Sequence, residues 1–490
     1  MTDTTAVARD ASPVELSEDW IAVIVGAGIF ALCLLGTIGP DLLGWVVTTS
    51  VWTSPGQALA PFGKTYAALG GFGALIVTYA ALLAVLGAAA ASLKVDIRRF
   101  AVAFTVVFFL TYGSWIVGSQ ANLAAVTPAD FKKFGITWSL KLTNEGGYIV
   151  ALALGLVIAN FFPRLAGWLG TAIRPELYIK IAIVIIGASL AVTAVGKLNL
   201  ATSLLLRGLA AIVEAYLIYW AVVYFVARKW FGFSREWAAP LASGISVCGV
   251  AAAIATGGAI RARPVVPVLV SSLVVIFAVV EVLVLPFLAQ TFLWQEPLVA
   301  GAWLGLAVKT DGAALAAGGI ADALIVAKAA TEGINYQPGW ILATTATVKV
   351  FIDIFIGVWT FVLGYIWTNH INRVPGSARA KPIEIWQRFP KFILGFLVTF
   401  IVGLVIALSI DGGTTPRFNS AVAESNVFRV IFFILTFFSI GVLSNFRKLW
   451  EQGLGKLAAV YAVSLFGFVI WVGLLISWLF FAGVKPPTVG

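Results

Sequence analysis

The sequence predicts an all-α polytopic membrane protein, and three observations carry the prediction. Hydrophobic residues make up 61% of the 490 positions and charged residues only 11%, with a mean hydropathy of +1.00. An ordinary soluble chain is about one quarter charged, so this chain takes the bilayer as its solvent. The apolar stretches are long and continuous rather than short and alternating, which excludes a β-barrel. Two cysteines and one histidine, His370 in a polar stretch, are too few for a disulfide framework or for a zinc, haem or iron–sulfur ligand set. No metal site and no bound cofactor is expected; a coupling ion, Na⁺ or H⁺, remains compatible with the composition.

A hydrocarbon core of about 30 Å needs roughly 20 apolar residues per helix. Thirteen segments read this way: Trp20–Ile38, Tyr66–Leu93, Phe100–Ala124, Gly146–Phe162, Leu177–Val195, Leu204–Val226, Trp237–Ile260, Val265–Thr291, Leu298–Ile320, Trp340–Thr368, Phe392–Ser409, Val427–Leu443 and Leu457–Phe481. The stretch Asp41–Lys64, moderately apolar with Gly, Pro and Trp, reads as an interfacial or re-entrant connection. Residues 1–19 are polar and of mixed charge, with no basic bias and no cleavage-like site after the apolar run. They read as a cytoplasmic tail, not a signal peptide. Residues 20–490 read as one membrane domain, interrupted by a polar, proline-bearing cytoplasmic connector at 369–391.

The net charge of +10 fits the excess of Lys and Arg on cytoplasmic loops better than it fits a nucleic-acid partner. With the N-terminus inside, Arg98, Arg99, Arg174, Lys180, Arg228, Arg235, Lys391 and Lys456 fall on the inner side. The outer loops then carry Arg261, Arg263, Lys328, Arg417, Arg429 and Lys485. An odd number of spans places the C-terminus outside, in a bacterial inner membrane. Ile181–Val195 and Phe432–Arg447 each hold a central Gly and precede a Gly-Lys pair and another span, which reads either as a duplicated half or as chance likeness between apolar helices.

Two segments break the apolar pattern. Leu241–Arg263 is built of Gly, Ala and Ser, and Gly244, Gly249, Gly257 and Gly258 each weaken a helix by about 1 kcal/mol relative to Ala. A break here frees backbone N–H groups that suit an anion, with Ser246 and Cys248 beside them. The competing reading is a tight small-residue helix crossing. Gly301–Gly319 sets Lys309, Thr310, Asp311 and Gly312 inside an apolar run. Ionisable residues at such a place mark a pathway or a pair; the alternative is a turn between two short hairpin helices. Candidate substrate-binding residues are therefore Gly244, Ser246, Cys248, Gly249, Thr310 and Gly312. Candidate ion-coupling residues are Asp311, the i, i+4 pair Lys349 and Asp353, and Glu214, with Glu281 and Arg207 as further charged positions. Each of these also has a structural reading as a salt bridge, a snorkelling cation or a neutral, hydrogen-bonded acid. Motifs for ATP binding, zinc hydrolysis and serine hydrolysis are absent, so no enzyme is expected.

Several blocks in order carry a resemblance: GISVCGVAAAIA from Gly244, GAWLGLAVKTDGAALAAGG from Gly301, ATTATVKVFIDIFIGV from Ala343, WQRFPKFILGF from Trp386 and FFSIGVLSNFRKL from Phe437. In these the chain resembles the sulfate exporter family of bacterial membrane proteins, within the cation/proton antiporter and anion transporter group. Val247, Val250, Ala251 and Lys309 depart from that family's pattern, which bears on substrate more than on fold. The resemblance implies inverted repeats, a scaffold and a core domain, and two broken helices crossing near the membrane centre, with breaks at Gly244–Gly249 and Thr310–Gly312. It implies helix N-termini holding a small anion such as sulfate, sulfite or an organosulfonate, coupling through Asp311 or Lys349/Asp353, and a lipid-embedded chain, alone or as a homodimer. A passive channel or uniporter and a non-transporting sensor or assembly protein are the competing functions.

Overall fold

The computed structural model describes residues 17–125, 128–140, 146–195, 198–263, 265–371, 390–410, 413–445 and 455–489. Most of the tail, most of the 369–391 connector, and Arg447 and Lys448 lie outside these. The expected all-α architecture is observed. Among the described residues ten helices are long and apolar enough to cross a membrane, or eleven if the pair Gly146–Phe161 and Pro163–Leu169, bent by 117°, forms one span. The elements used below are α1 (Glu18–Ile38), α2 (Gly70–Ser92), α3 (Ile97–Gly118), α4 (Gly146–Phe161), α5 (Pro175–Val195) and α6 (the span Thr202–Trp230). They continue with α7 (Arg235–Ser246), α8 (Gly249–Ala259), α9 (Val265–Leu293), α10 (Pro297–Ala307) and α11 (Asp311–Thr331). The last four are α12 (Trp340–Ile366), α13 (Phe392–Ser409), α14 (Thr415–Leu443) and α15 (Gly455–Phe481).

The connection after α1 is a small folded loop. Val47–Thr49 (β1) pairs antiparallel with Leu59–Pro61 (β2), and Val47 is anchored by Thr78 Oγ1, which accepts its N–H at 2.9 Å, and by Tyr112, which donates to its carbonyl at 2.9 Å. These bonds answer the backbone groups that a non-helical segment would leave unpaired.

The thirteen-segment count changes at two places. Trp237–Ile260 and Leu298–Ile320 are not single spans. Each is broken, and its two arms fold back against each other as a helical hairpin: α7 against α8, and α10 against α11. Thr256 of α8 donates to Ser243 of α7 at 2.8 Å, and Arg263 beyond α8 pairs with Glu236 at the start of α7 at 3.0 Å. Arg263 therefore lies on the same face as Arg235, which corrects the outer placement of Arg261 and Arg263. Because two segments fold back rather than one, the errors cancel, and α12 onward keep the direction expected from the sequence.

The hairpins enter from opposite faces. Lys456, at the start of α15, lies over the ring of Phe233 at the base of the first hairpin, 5.2 Å from its centroid. At the other end of α15, Gly483 donates to Glu296 at the base of the second, at 2.8 Å. Around them pack α5, α13, α14 and α1, and the starts of α1, α5 and α13 share a charge cluster: Lys180–Asp19 at 3.0 Å, Arg174–Glu18 at 2.8 Å, and Lys391 N–H donating to Asp19 at 2.7 Å.

Small residues set the helix spacing inside the bundle. A Cβ on Gly301 of α10 would stand 2.6 Å from the Ile341 carbonyl, and one on Gly305 would stand 2.9 Å from Val348 Cβ, both on α12. Their i, i+4 spacing makes one flat seam, and Thr345 seals it by donating to Gly301 O at 2.8 Å. Gly305→Leu should therefore lower the stability of the detergent-solubilised protein by about 1–3 kcal/mol through overpacking. Gly87→Leu, where nothing lies within 4 Å of the added carbon, should leave the melting temperature unchanged. Equal melting of the two variants would refute the seam.

Candidate functional site

The two hairpin tips meet in the interior of the bundle. The first break falls at Val247-Cys248 and the second at Val308–Thr310, within the stretches where glycine and charge interrupt the apolar pattern. Gly249 opens α8 with φ +40°, a conformation that costs an L-residue energy. Its missing side chain also lets the tips touch, since a Cβ there would lie 2.7 Å from Val274 Cγ1 and 2.9 Å from Thr310 Cγ2. Thr310 is the N-cap of α11 and accepts the Ala313 N–H at 3.2 Å; Asp311 follows in the first turn, where a carboxylate suits the helix dipole.

Across the junction, the Cys248 thiol reaches both oxygens of Asp311, at 2.9 and 3.0 Å. Asp353 of α12 completes the group: one ligand atom from each of Cys248, Asp311 and Asp353 lies within 4.8 Å of the others, all three buried. Asp353 is 2% exposed and its Oδ1 has no hydrogen-bond partner. Lys349, one turn earlier on α12, does not pair with Asp353 as its spacing allows. Its ammonium donates instead to Val247 O at 3.3 Å and Lys309 O at 3.2 Å, one carbonyl from each break. Helix C-terminal carbonyls are the negative end of the dipole, so one cation answers both tips.

The remaining candidates distribute around this centre. Ser246 Oγ is buried without a partner, and Gly244 packs against Val270 and the Gly249 carbonyl. Thr310 and Gly312 line a small cavity with Glu176 and Ile179 of α5 and Thr436 and Ile440 of α14. Glu214 does not join the Asp311 cluster. It lies on the other side of the second tip, fully buried, with neither carboxylate oxygen hydrogen-bonded among the described residues, in a π-helical turn, Glu214–Tyr219, of α6. Beside it the Lys309 ammonium sits 4.5 Å from the Tyr219 ring centroid and donates to Leu306 O. The Lys309 N–H donates to Glu281 at 3.1 Å, and Tyr461 donates to the other oxygen of Glu281 at 3.3 Å. Arg207 bonds Ser203 and the Phe480 carbonyl rather than reaching along the helix to Glu214.

Each cluster thus holds one lysine and two carboxylates. If all are ionised, Lys349 with Asp311 and Asp353 sums to −1, and Lys309 with Glu214 and Glu281 sums to −1. Close carboxylates in a buried site need a proton or a cation between them. The Cys248–Asp311–Asp353 group, with ligand atoms within 4.8 Å of one another, could hold one such proton or cation. The sequence does not show Tyr219 and Tyr461 as partners of this second cluster, because neither aromatic differs from its apolar surroundings.

A larger cavity, of about 530 Å³, opens toward the base of the second hairpin between α5, α11, α14 and the start of α12, with Arg429, Asn419, Asn426, Asp322 and Phe433 in its wall. Arg429, counted with the outer loops from the sequence, is not a loop residue, because α14 begins at Thr415 and carries it within the helix.

Two opposed re-entrant hairpins meet at buried charges inside the helical bundle of a multi-pass membrane protein, an arrangement consistent with a transporter-like role. A family model described as conserved hypothetical protein 698 matches residues 138–460. The chain belongs to the UPF0324 membrane protein family. It is 41% identical over 478 residues to a UPF0324 membrane protein of Nitrosomonas europaea, covering 96% of this chain and 97% of that one. A UPF0324 membrane protein of Rhodopirellula baltica is 31% identical over 80% of this chain and 64% of its own length. An uncharacterized protein of Archaeoglobus fulgidus is 47% identical over 171 residues, 31% of this chain and 91% of its own. No solved structure matches the chain.

Removing the bridging cation tests the site's construction. Lys349→Met should cost about 3–5 kcal/mol, because it strips a donor from two buried carbonyls and leaves the neighbouring acids uncompensated. Lys349→Met/Asp353→Asn should recover part of the loss. Thermal unfolding in detergent reads both, and a Lys349→Met variant as stable as wild type would refute the bridge.

Proposed function

We propose that the protein is a secondary active transporter of a small anion, coupled to H⁺ or Na⁺ and working by alternating access. The observation that carries this reading is the buried Cys248–Asp311–Asp353 group set against Lys349 at the tip-to-tip junction of two hairpins that open to opposite faces. Buried ionisable groups at membrane depth are expensive and accompany ion and substrate pathways. The N-terminal ends of α8 and α11 start at this junction, and helix N-termini attract anions. A carboxylate beside the same place repels an anion unless it is protonated or screened by a cation. Anion and coupling ion therefore favour each other's binding, which is the requirement for coupled movement. The hairpins' opposite entry supports an inverted-repeat core whose access alternates around a fixed centre.

A sulfur oxyanion or organosulfonate as substrate rests on the resemblance to sulfate exporters alone. A cytoplasmic N-terminus in a bacterial inner membrane rests on the basic residues of the face bearing Arg174, Lys180 and Lys391.

Reconstituted protein tests the reading. Wild type should accumulate labelled sulfate or sulfite in proteoliposomes in response to an imposed pH or Na⁺ gradient. Asp311→Asn and Asp353→Asn should lower that accumulation at least tenfold and remove its response to the gradient. Flux that follows the substrate gradient alone favours a passive channel, and equal transport by wild type and Asp311→Asn excludes Asp311 as the coupling residue.

A further inference from the structure

We infer that the cavity of about 530 Å³ at the base of the second hairpin is a binding station for a divalent tetrahedral oxyanion, received by Arg429. This site shares no residue with the junction. It rests on the anion reading above for its purpose, and on its own geometry for its chemistry.

Arg429 is held rather than loose. Its Nε–H donates to Asn426 Oδ1 at 2.5 Å, three residues earlier on α14, and its guanidinium lies 4.8 Å from the ring centroid of Phe433, four residues later. Both contacts come from its own helix, so the plane of the guanidinium is fixed whatever the neighbouring helices do. They use one N–H and one face. The two terminal amino groups, with four N–H donors between them, meet no carboxylate among the described residues. A planar pair of N–H donors is the group best matched to two oxygens of a sulfate-like anion, which a lysine, a point charge, cannot replace.

The other charged residue in the wall, Asp322, is already engaged by backbone donors. The Asp322 carboxylate accepts the N–H groups of Gly339 at 2.8 Å, Ile341 at 2.9 Å and Leu342 at 3.4 Å, so it is spent as the cap on the start of α12. Glu424, five residues before Arg429, faces away toward Cys33 and Asp41. Asn426 gives its oxygen to Arg429. Asn419, two turns earlier, lines the same wall. With Asp322 bound by backbone N–H groups, Arg429 and the two amides are what the wall offers an anion.

Its position gives the station a use. The same three helices, α5, α11 and α14, line this cavity and the small one at Thr310 and Gly312. The cavity at Arg429 and the N-terminus of α11 are thus framed by the same helices.

The test is equilibrium binding of radiolabelled sulfate to full-length, delipidated protein at constant ionic strength set with sodium chloride. Wild type should bind saturably. Arg429→Ala and Arg429→Lys should each weaken binding at least tenfold. Asn426→Asp, which places a carboxylate on the guanidinium without removing it, should do the same and guards against a folding defect in the arginine variants. Gly87→Leu, outside both the cavity wall and the junction, should bind sulfate like wild type. Absence of saturable sulfate binding by wild type, or wild-type affinity in Asn426→Asp and Arg429→Ala, overturns the station. Binding of phosphatidylglycerol without binding of sulfate also overturns it, as a lipid-headgroup site. The two readings fail separately: loss of flux in Asp311→Asn with unaltered sulfate binding in Arg429→Ala keeps coupling and removes the station. Unaltered flux in Asp311→Asn with lost binding in Arg429→Ala does the reverse.

Discussion

One buried ammonium holds the centre of this protein together. A helix broken inside a membrane leaves carbonyls at one end and N–H groups at the other with no water to satisfy them. Here two helices are broken, and Lys349 of α12 donates to Val247 O and Lys309 O, one carbonyl from each break. The same contact fixes how far each hairpin enters and holds both tips against α12. Gly249 makes this approach possible, because any side chain there would meet Val274 and Thr310.

Residue 309 then connects the two charge clusters. Its carbonyl accepts from Lys349, its N–H donates to Glu281, and its side chain rests on Tyr219 beside Glu214. Any shift of the Lys349 ammonium is felt at the Lys309 peptide. The clusters are thus joined by backbone rather than by an ion pair. Two π-helical turns, Glu214–Tyr219 in α6 and Leu465–Val469 in α15, lie at the second cluster, and Tyr219 donates to Val469 O at 2.8 Å. Such turns loosen a helix locally, and they occur where a side chain must be aimed at a site rather than packed.

Much of the fold was legible from composition and residue type. Long apolar runs identify membrane helices because only a satisfied backbone survives in lipid, and Gly, Ser, Thr and Asp inside those runs mark where the helix does not continue. The breaks expected at Gly244–Gly249 and Thr310–Gly312 lie at Val247-Cys248 and Val308–Thr310. Whether a broken segment continues across or turns back was not legible, because an arm of a hairpin and half of a span have the same local pattern. Contacts far away in sequence decide between them: Glu236 with Arg263 at one base, Glu296 with Gly483 at the other.

The sequence by itself determined the class, the two points of interruption and the residues able to carry charge there, since each follows from what a single segment can do in lipid. The tertiary structure decided partners. It turned Lys349 from Asp353 to two carbonyls, gave Cys248 to Asp311, set Glu214 apart with Tyr219, and brought Arg429 from an expected loop into the wall of a cavity. Hydrogen bonds and electrostatic pairing depend on distances of a few ångströms between residues separated by up to hundreds of positions, and the i, i+4 rule constrains only one helix at a time.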